Sequence, residues 1–211
     1  MYVATCTRPD IAHAVGEVAK FCEKYGKSHW AAAKRILKYL KTTQDLHIKS
    51  SGNSKGELIG FADANWAGDV DTRRSTTGYV FFLNSGVISW NSKRQPTVAT
   101  SSTEAEYMSL YSATQEAIWL RLLLKDLEYT DNAATTIFQD NQGCISLAKN
   151  PVYHARTKHI DIKFHFLREK VMDEVIVLEY KPTEEMVADG FTKALPKDKH
   201  TKFLTTLNLT V

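Results

Sequence analysis

The stretch STTGYVFFLNSGVISWN, Ser75 to Asn91, decides how the rest of the chain is read. Its first half is β-branched and aromatic, which suits a pleated, half-buried surface. Asn84-Ser85-Gly86 supplies turn chemistry, and VISWN, residues 87–91, resumes a strand. Just upstream, ELIGFAD, residues 57–63, is another apolar run. Three strands joined by short connections predict an antiparallel meander. Downstream, residues 102–127 are rich in Ala, Leu, Met and Glu and predict a long helix. TIFQD, residues 136–140, predicts a fourth strand, and a helix between strands three and four requires a crossover with parallel pairing. Residues 141–148 predict a short helix stopped by Asn150-Pro151, residues 159–172 another helix, VIVLEY (175–180) a fifth strand, and 184–195 a final helix. The order β-β-β-α-β-α-α-β-α describes an α/β domain, a mixed five-stranded sheet with helices on both faces.

Ahead of this lies a helical segment. Ile11, Ala14, Val15, Val18, Phe21 and Cys22 keep helical spacing; after a break, Trp30, Ala33, Leu37 and Leu40 do the same, with Ser28 as the expected N-cap. Residues 52–56 read as a turn or linker, which divides the chain into 1–55 and 56–211. Over 211 residues, 43% apolar and 24% charged content is that of a globular protein. The longest apolar runs fall far short of a membrane span. Three scattered cysteines, Cys6, Cys22 and Cys144, form neither a disulfide framework nor a zinc motif. The net charge of +3 is mild, but basic residues cluster: Lys34, Arg35, Lys38 and Lys41; Arg73 and Arg74; Lys93 and Arg94; Arg156, Lys158 and Lys163. Such clusters fit a nucleic-acid partner and equally fit solvated faces.

Four acids fall near the ends of predicted elements. Asp63 follows an apolar strand, Glu106 (with Glu104) opens the long helix, Asp140 closes the fourth strand, and Asp189 lies in the final helix. A carboxylate at the end of a buried strand is costly unless paired, hydrogen-bonded or metal-bound. In this topology the first and fourth strands are neighbours, so Asp63 and Asp140 can face each other. Clustered carboxylates raise one another's pKa, and two Mg²⁺ ions about 3.5–4 Å apart remove that cost while activating water. Each acid has a plainer reading. Asp63 and Asp140 also fit turn positions, Thr103-x-x-Glu106 fits a capping box, Glu104 fits the acid preference of a helix N-terminus, and Asp189 fits a solvated helix position.

The whole stretch from FADANWAGD through TSSTEAEYMSL resembles the ribonuclease H domain of copia-type LTR retrotransposon Pol polyproteins. QDNQGCISLAKNPVYHARTKHIDIKFHFLREKV and ADGFTKALP agree, while TRPDIAHAVGEVAKF and HWAAAKRILKYLK resemble the end of the preceding reverse transcriptase. The resemblance implies a ribonuclease H-like three-layer fold that hydrolyses the RNA strand of RNA–DNA hybrids, leaving 5′-phosphates and 3′-hydroxyls. It implies that Asp63, Glu106, Asp140 and Asp189 hold two Mg²⁺ ions, with Mn²⁺ able to substitute. Glu106 is preferred to Glu104 because the family's helix glutamate precedes a Leu- or Tyr-type residue; Glu104 stays as the alternative. Arg73, Arg74, Ser75, Thr76, Lys93, Arg94, Arg156, Lys158 and Lys163 become candidates for nucleic-acid backbone contacts, which position a hybrid without reading its sequence. RNA would be recognised through its 2′-hydroxyls across the shallow minor groove.

The resemblance also implies the missing reverse transcriptase core as a partner and work in cytoplasmic particles and later the nucleus; with only short apolar runs, no membrane partner is expected. Two departures stand out. Cellular ribonucleases H carry a histidine in the loop before the fourth acid, whereas YKPTEEMVAD, residues 180–189, has none; His154, His159 and His165 precede the fifth strand, and one packed against the sheet is expected rather than a zinc site. The polymerase core, integrase and protease are absent from the sequence. Competing expectations are a catalytically silent hybrid-binding or scaffold fragment and a structure-selective DNA nuclease.

Overall fold

The computed structural model describes residues 1–50, 56–129, 133–150 and 161–211. Three helices come first, α1 (Tyr2–Cys6), α2 (Ala12–Ala19) and α3 (Lys27–Thr42), followed by a short β1 (His47–Ile48). Then come β2 (Ile59–Asn65), β3 (Thr76–Leu83), β4 (Gly86–Arg94), α4 (Ser102–Asp126), β5 (Thr135–Gln139), α5 (Gln142–Lys149), α6 (Asp161–Met172) and β6 (Ile176–Tyr180). The chain ends with α7 (Asp189–Thr192), α8 (Lys197–Thr206) and β7 (Leu209–Thr210).

Five strands form one sheet in the order β4-β3-β2-β5-β6. The meander β2-β3-β4 is antiparallel, and β5 and β6 run parallel to β2. The β3–β4 hairpin turns on Asn84 and Ser85, both with positive φ. Two such residues make the backbone twist of the turn match that of the strands. α4 carries the chain from one edge of the sheet across to β5, as the predicted crossover requires. With α5 and α6 it covers one face, burying Ala62, Phe81, Leu110, Ile137, Phe164 and Leu178. On the opposite face Phe61, Val80 and Phe82 pack against Phe191, Phe203 and Leu207 of the C-terminal helices.

The predicted final helix over 184–195 does not form. The chain makes a single 3₁₀ turn, Thr183–Glu185, leaves it at Met186 in an extended conformation, and re-forms helix only at Asp189. Pro196 then caps α8, an element the sequence reading missed. Met186, Val187, Ala188 and Phe191 are all buried, a continuous apolar demand that one amphipathic helix face cannot meet. The N-cap of α3 is Gly26 rather than Ser28, and Gly26 N–H donates to His29 Nδ1 at 3.0 Å. Trp30 and Leu37 of α3 remain 58% and 63% exposed.

Residues 1–50 lie against the sheet domain. Trp90 Nε1 donates to Ala4 O at 2.8 Å, Lys20 Nζ lies 3.1 Å from Asp69 Oδ2, and β1 pairs antiparallel with β7. Inside this segment Arg8 forks onto Asp10 (2.9 and 2.7 Å) and reaches Thr43 O at 2.9 Å, while Tyr39 Oη donates to Asp10 Oδ2 at 2.7 Å. Both charges are buried. Removing one partner of a buried pair strands the other, so Asp10→Ala is expected to destabilise the protein by about 3 kcal/mol. Urea unfolding at pH 7 measures this, and an unchanged midpoint would show that the network contributes nothing.

Candidate active site

Asp63 lies on β2 two residues before its end, and strand alternation places it with Ile59 and Phe61 on the face under α7. Directly across the ladder is Gly78 of β3. A Cβ there would come within 2.5 Å of Thr192 Cγ2, 2.9 Å of Phe191 Cβ and 3.0 Å of Ala188 O. The absent side chain lets α7 descend onto the sheet, where the Thr192 hydroxyl donates to Asp63 Oδ2. From the opposite side, Ser109 Oγ of α4 donates to Asp63 O at 2.7 Å. Gly78→Ala is expected to lift α7 and destabilise by about 1–3 kcal/mol, as overpacking does. A crystal structure of the variant with α7 unmoved would contradict this.

The choice between Glu104 and Glu106 follows from the cap of α4. Its N-cap is Ser101, whose Oγ accepts from Glu104 N at 3.1 Å. The Glu104 carboxylate turns back to accept from Thr100 N (2.8 Å) and Thr100 Oγ1 (2.6 Å). Glu104 therefore belongs to the helix entry, and the Thr103-x-x-Glu106 capping box does not form. Glu106, two residues further on, points to the sheet edge, where Gln139 Nε2 donates to its Oε2 at 3.3 Å.

Asp140 leaves the end of β5, which runs parallel to β2. Thr183 Oγ1 donates to its Oδ2 at 2.6 Å. One carboxylate oxygen from each of Asp63, Glu106 and Asp140 lies within 4.8 Å of the other two. Asp189 starts α7 beside this trio but outside it. Lys193 Nζ pairs with its Oδ1 at 2.8 Å, although the contact lacks hydrogen-bond alignment and that buried oxygen has no aligned donor.

The electrostatics match the crowding. Burial, then the charge of Asp189, pushes Asp63 up from 3.8 to about 7, against the Thr192 hydrogen bond and the Lys193 charge. Burial, then Asp63 and Asp140, drives Glu106 well above the carboxylate range. Burial opposes the Lys193 ammonium, but its pairing with Asp189 and the charges of Asp63 and Asp140 prevail and raise its pKa. Bare carboxylates in this arrangement repel. The donor set is all oxygen, which suits a hard divalent cation such as Mg²⁺ or Mn²⁺.

The basic candidates separate. Arg74, Thr76, Lys93 and Arg94 line a groove of about 290 Å³ together with Lys20. Within it Lys20 and Arg94 both approach Asp69 Oδ2, at 3.1 and 3.3 Å. Asp69 is held well below the carboxylate range: burial works upward, and Thr72 and Lys20 outweigh it. Arg73 is exposed with φ 55°. Ser75 corrects its expectation: it is fully buried, and its Oγ accepts from Ala67 N at 3.1 Å, so it braces the loop instead of facing phosphate. Thr76 is 5% exposed. Lys163 lies on α6 over the Tyr111 ring, 5.6 Å from its centroid. Arg156, Lys158, His154 and His159 fall outside the described residues, and His165 is exposed rather than packed on the sheet.

Four residues around the acids escaped the sequence reading: Gly78, Gln139, Thr183 and Thr192. A signal existed for two. A glycine inside a strand marks close approach of another segment. The alternating burial of Thr135, Ile137 and Gln139 points Gln139 inward.

A central strand β2 antiparallel to β3 on one side and parallel to β5 and β6, beyond a crossover helix, on the other defines a ribonuclease H-like α/β domain. No family model matches the chain. It is 48% identical over 200 residues to the retrovirus-related Pol polyprotein from transposon TNT 1-94 of Nicotiana tabacum, covering 94% of this chain and 15% of that protein. It is 38% identical over 204 residues to the Pol polyprotein from transposon RE1 of Arabidopsis thaliana, covering 97% of this chain and 14% of that one. The crystal structure of LC11-RNase H1 in complex with RNA/DNA hybrid superposes with a TM-score of 0.48 at 18% identity, over 64% of this chain and 94% of that one. The chain belongs to the Pol polyproteins of copia-type LTR retrotransposons, and it spans about one-seventh of the length of the relatives it matches. Among the described residues, no helix is long and apolar enough to cross a membrane.

Proposed function

We propose that this chain hydrolyses the RNA strand of RNA–DNA hybrids during retrotransposon reverse transcription, with Asp63, Glu106, Asp140 and Asp189 holding two Mg²⁺ or Mn²⁺ ions. The observation that carries this reading is the convergence of Asp63, Glu106 and Asp140 from β2, α4 and the end of β5. Bound divalent cations would activate water and offset the charge that builds on the phosphate. The chain's own residues do the rest. Thr192 and Thr183 orient Asp63 and Asp140 through their hydroxyls. Lys193 keeps Asp189 beside the trio. Arg74, Lys93 and Arg94, with exposed Arg73 nearby, supply positive charge to grip a nucleic-acid backbone. The products are 5′-phosphates and 3′-hydroxyls.

In the same reading, residues 1–55 derive from the end of the reverse transcriptase and 56–211 form the nuclease domain, with the polymerase core as the partner of exposed Trp30 and Leu37. The test offers the purified chain labelled RNA–DNA hybrid, duplex DNA and duplex RNA in Mg²⁺. Cleavage of the hybrid alone supports the proposal. Tight binding without cleavage replaces it with a scaffold role, and cleavage of duplex DNA replaces it with a DNA nuclease.

A further inference from the structure

Gln139 is fully buried at the last position of β5, between two of the elements that build the acid trio. Its Oε1 accepts from Asp140 N at 2.8 Å and from Asn141 N at 3.2 Å. With the oxygen committed to two backbone N–H groups, the amide orientation is fixed, and Nε2 faces Glu106 Oε2 at 3.3 Å. Its backbone is fixed as well: Lys181 N–H donates to Gln139 O at 3.0 Å, and the residue pairs with Tyr180 in the sheet. One neutral side chain thus ties the Glu106 carboxylate on α4 to the backbone of the loop that carries Asp140. Asn141, the second residue it holds, caps α5 through Cys144 N at 2.9 Å, so the loop is anchored at both ends.

A buried amide placed only to satisfy the strand end would need the two loop N–H groups and nothing more. Here the free end of the amide goes to a site carboxylate on another element. Glutamine suits this task. Glutamate would set a further negative charge against Glu106, and an apolar residue of the same length would leave two part-buried N–H groups without that acceptor.

We propose that Gln139 is a positioning residue that sets the spacing of Glu106 and Asp140 and thereby the divalent-ion affinity of the site. This rests on the metal reading given under Proposed function. Groups that orient metal ligands through hydrogen bonds typically change affinity by about 10–100-fold when removed.

The test is Mn²⁺ titration of the full chain by calorimetry, with Gln139→Met beside wild type. The expected result is a loss of about 10-fold or more in Mn²⁺ affinity. Hybrid cleavage should show the same rise in half-saturating Mg²⁺, with KM for the hybrid unchanged and kcat recovering as Mg²⁺ is raised. A merely structural role would lower the active fraction without moving the ion midpoint. Equal Mn²⁺ affinity in folded Gln139→Met and wild type overturns the proposal.

If Gln139→Met does not fold, wild type carries the test alone. In glutamine-labelled protein, the side-chain amide resonances of Gln139 should move during Mg²⁺ titration with the midpoint of ion uptake. Resonances that stay still through saturation overturn the proposal. Failure of wild type to take up any ion overturns the metal reading and this proposal with it, whereas uptake indifferent to Gln139 overturns this one alone.

Discussion

Replacing Asp63 by asparagine is expected to reduce hybrid cleavage by about 10³-fold, the scale on which loss of a preorganised electrostatic contact to the reacting groups is felt. Asp63 is the hub of the site. It contributes an oxygen to the trio, takes the Thr192 hydroxyl, and stands opposite the glycine that admits α7. Asparagine keeps the shape and one acceptor oxygen but removes the charge that a divalent cation requires. The variant should fold, bind hybrid with wild-type affinity through the basic groove, and fail in turnover. Single-turnover cleavage at saturating enzyme separates these effects. A variant that cleaves within a few-fold of wild type would remove Asp63 from the chemistry.

The same substitution should stabilise the ion-free protein at alkaline pH. In the unfolded chain Asp63 ionises near the ordinary carboxylate value of 3.8, whereas in the fold it holds its proton to about 7. Well below 3.8 both states are protonated and the group contributes nothing. Between pH 4 and 7 the unfolded state releases its proton first, so stability falls as pH rises, and above pH 7 the full penalty is present. The rise from 3.8 to about 7 corresponds to about 4 kcal/mol. Other groups titrate too. His13 is held below its ordinary value of 6.5, chiefly by burial, and works in the opposite direction, its penalty growing as pH falls below that value. The comparison of Asp63→Asn with wild type in EDTA isolates the carboxylate: the stability gap should be smallest well below the ordinary value of 3.8 and widen to a few kcal/mol by about pH 8. Saturating Mg²⁺ should restore wild type, by about 2.7 kcal/mol at a hundred times Kd. A gap that stays flat across pH would show that Asp63 is not desolvated in solution.

Much of this arrangement was legible in the sequence. The β2–β3–β4 meander, the α4 crossover and the parallel β5 and β6 follow from β-branched runs, turn residues and element order, with boundaries displaced by up to three residues, the most at the end of β4. The resemblance then selected the acids. What stayed hidden depends on tertiary context. Glu104 and Glu106 read alike until the start of the helix is known, and the helix is capped by Ser101, two residues earlier than Thr103 suggested. Ser75 follows two arginines and read as a phosphate donor, yet β3 begins at the next residue and carries it inside. The misread helix over 184–195 has a buried apolar residue at every position from Met186 to Ala188, and burial on all sides broke it into a turn and a short α7. Asp69 carried no expectation from the sequence, while in the structure it joins Thr72 of its own loop to Lys20 and Arg94 from distant segments.

The proposed function depends on separate elements delivering carboxylates to common ions. Crystals of the wild-type chain soaked in Mn²⁺, measured at a wavelength where manganese scatters anomalously, test that most directly. The predicted map places a peak among Asp63, Glu106 and Asp140, with a second ion drawing in Asp189. A map with no peak there at saturating Mn²⁺, or with the carboxylates turned away from an ion bound elsewhere, would contradict the account.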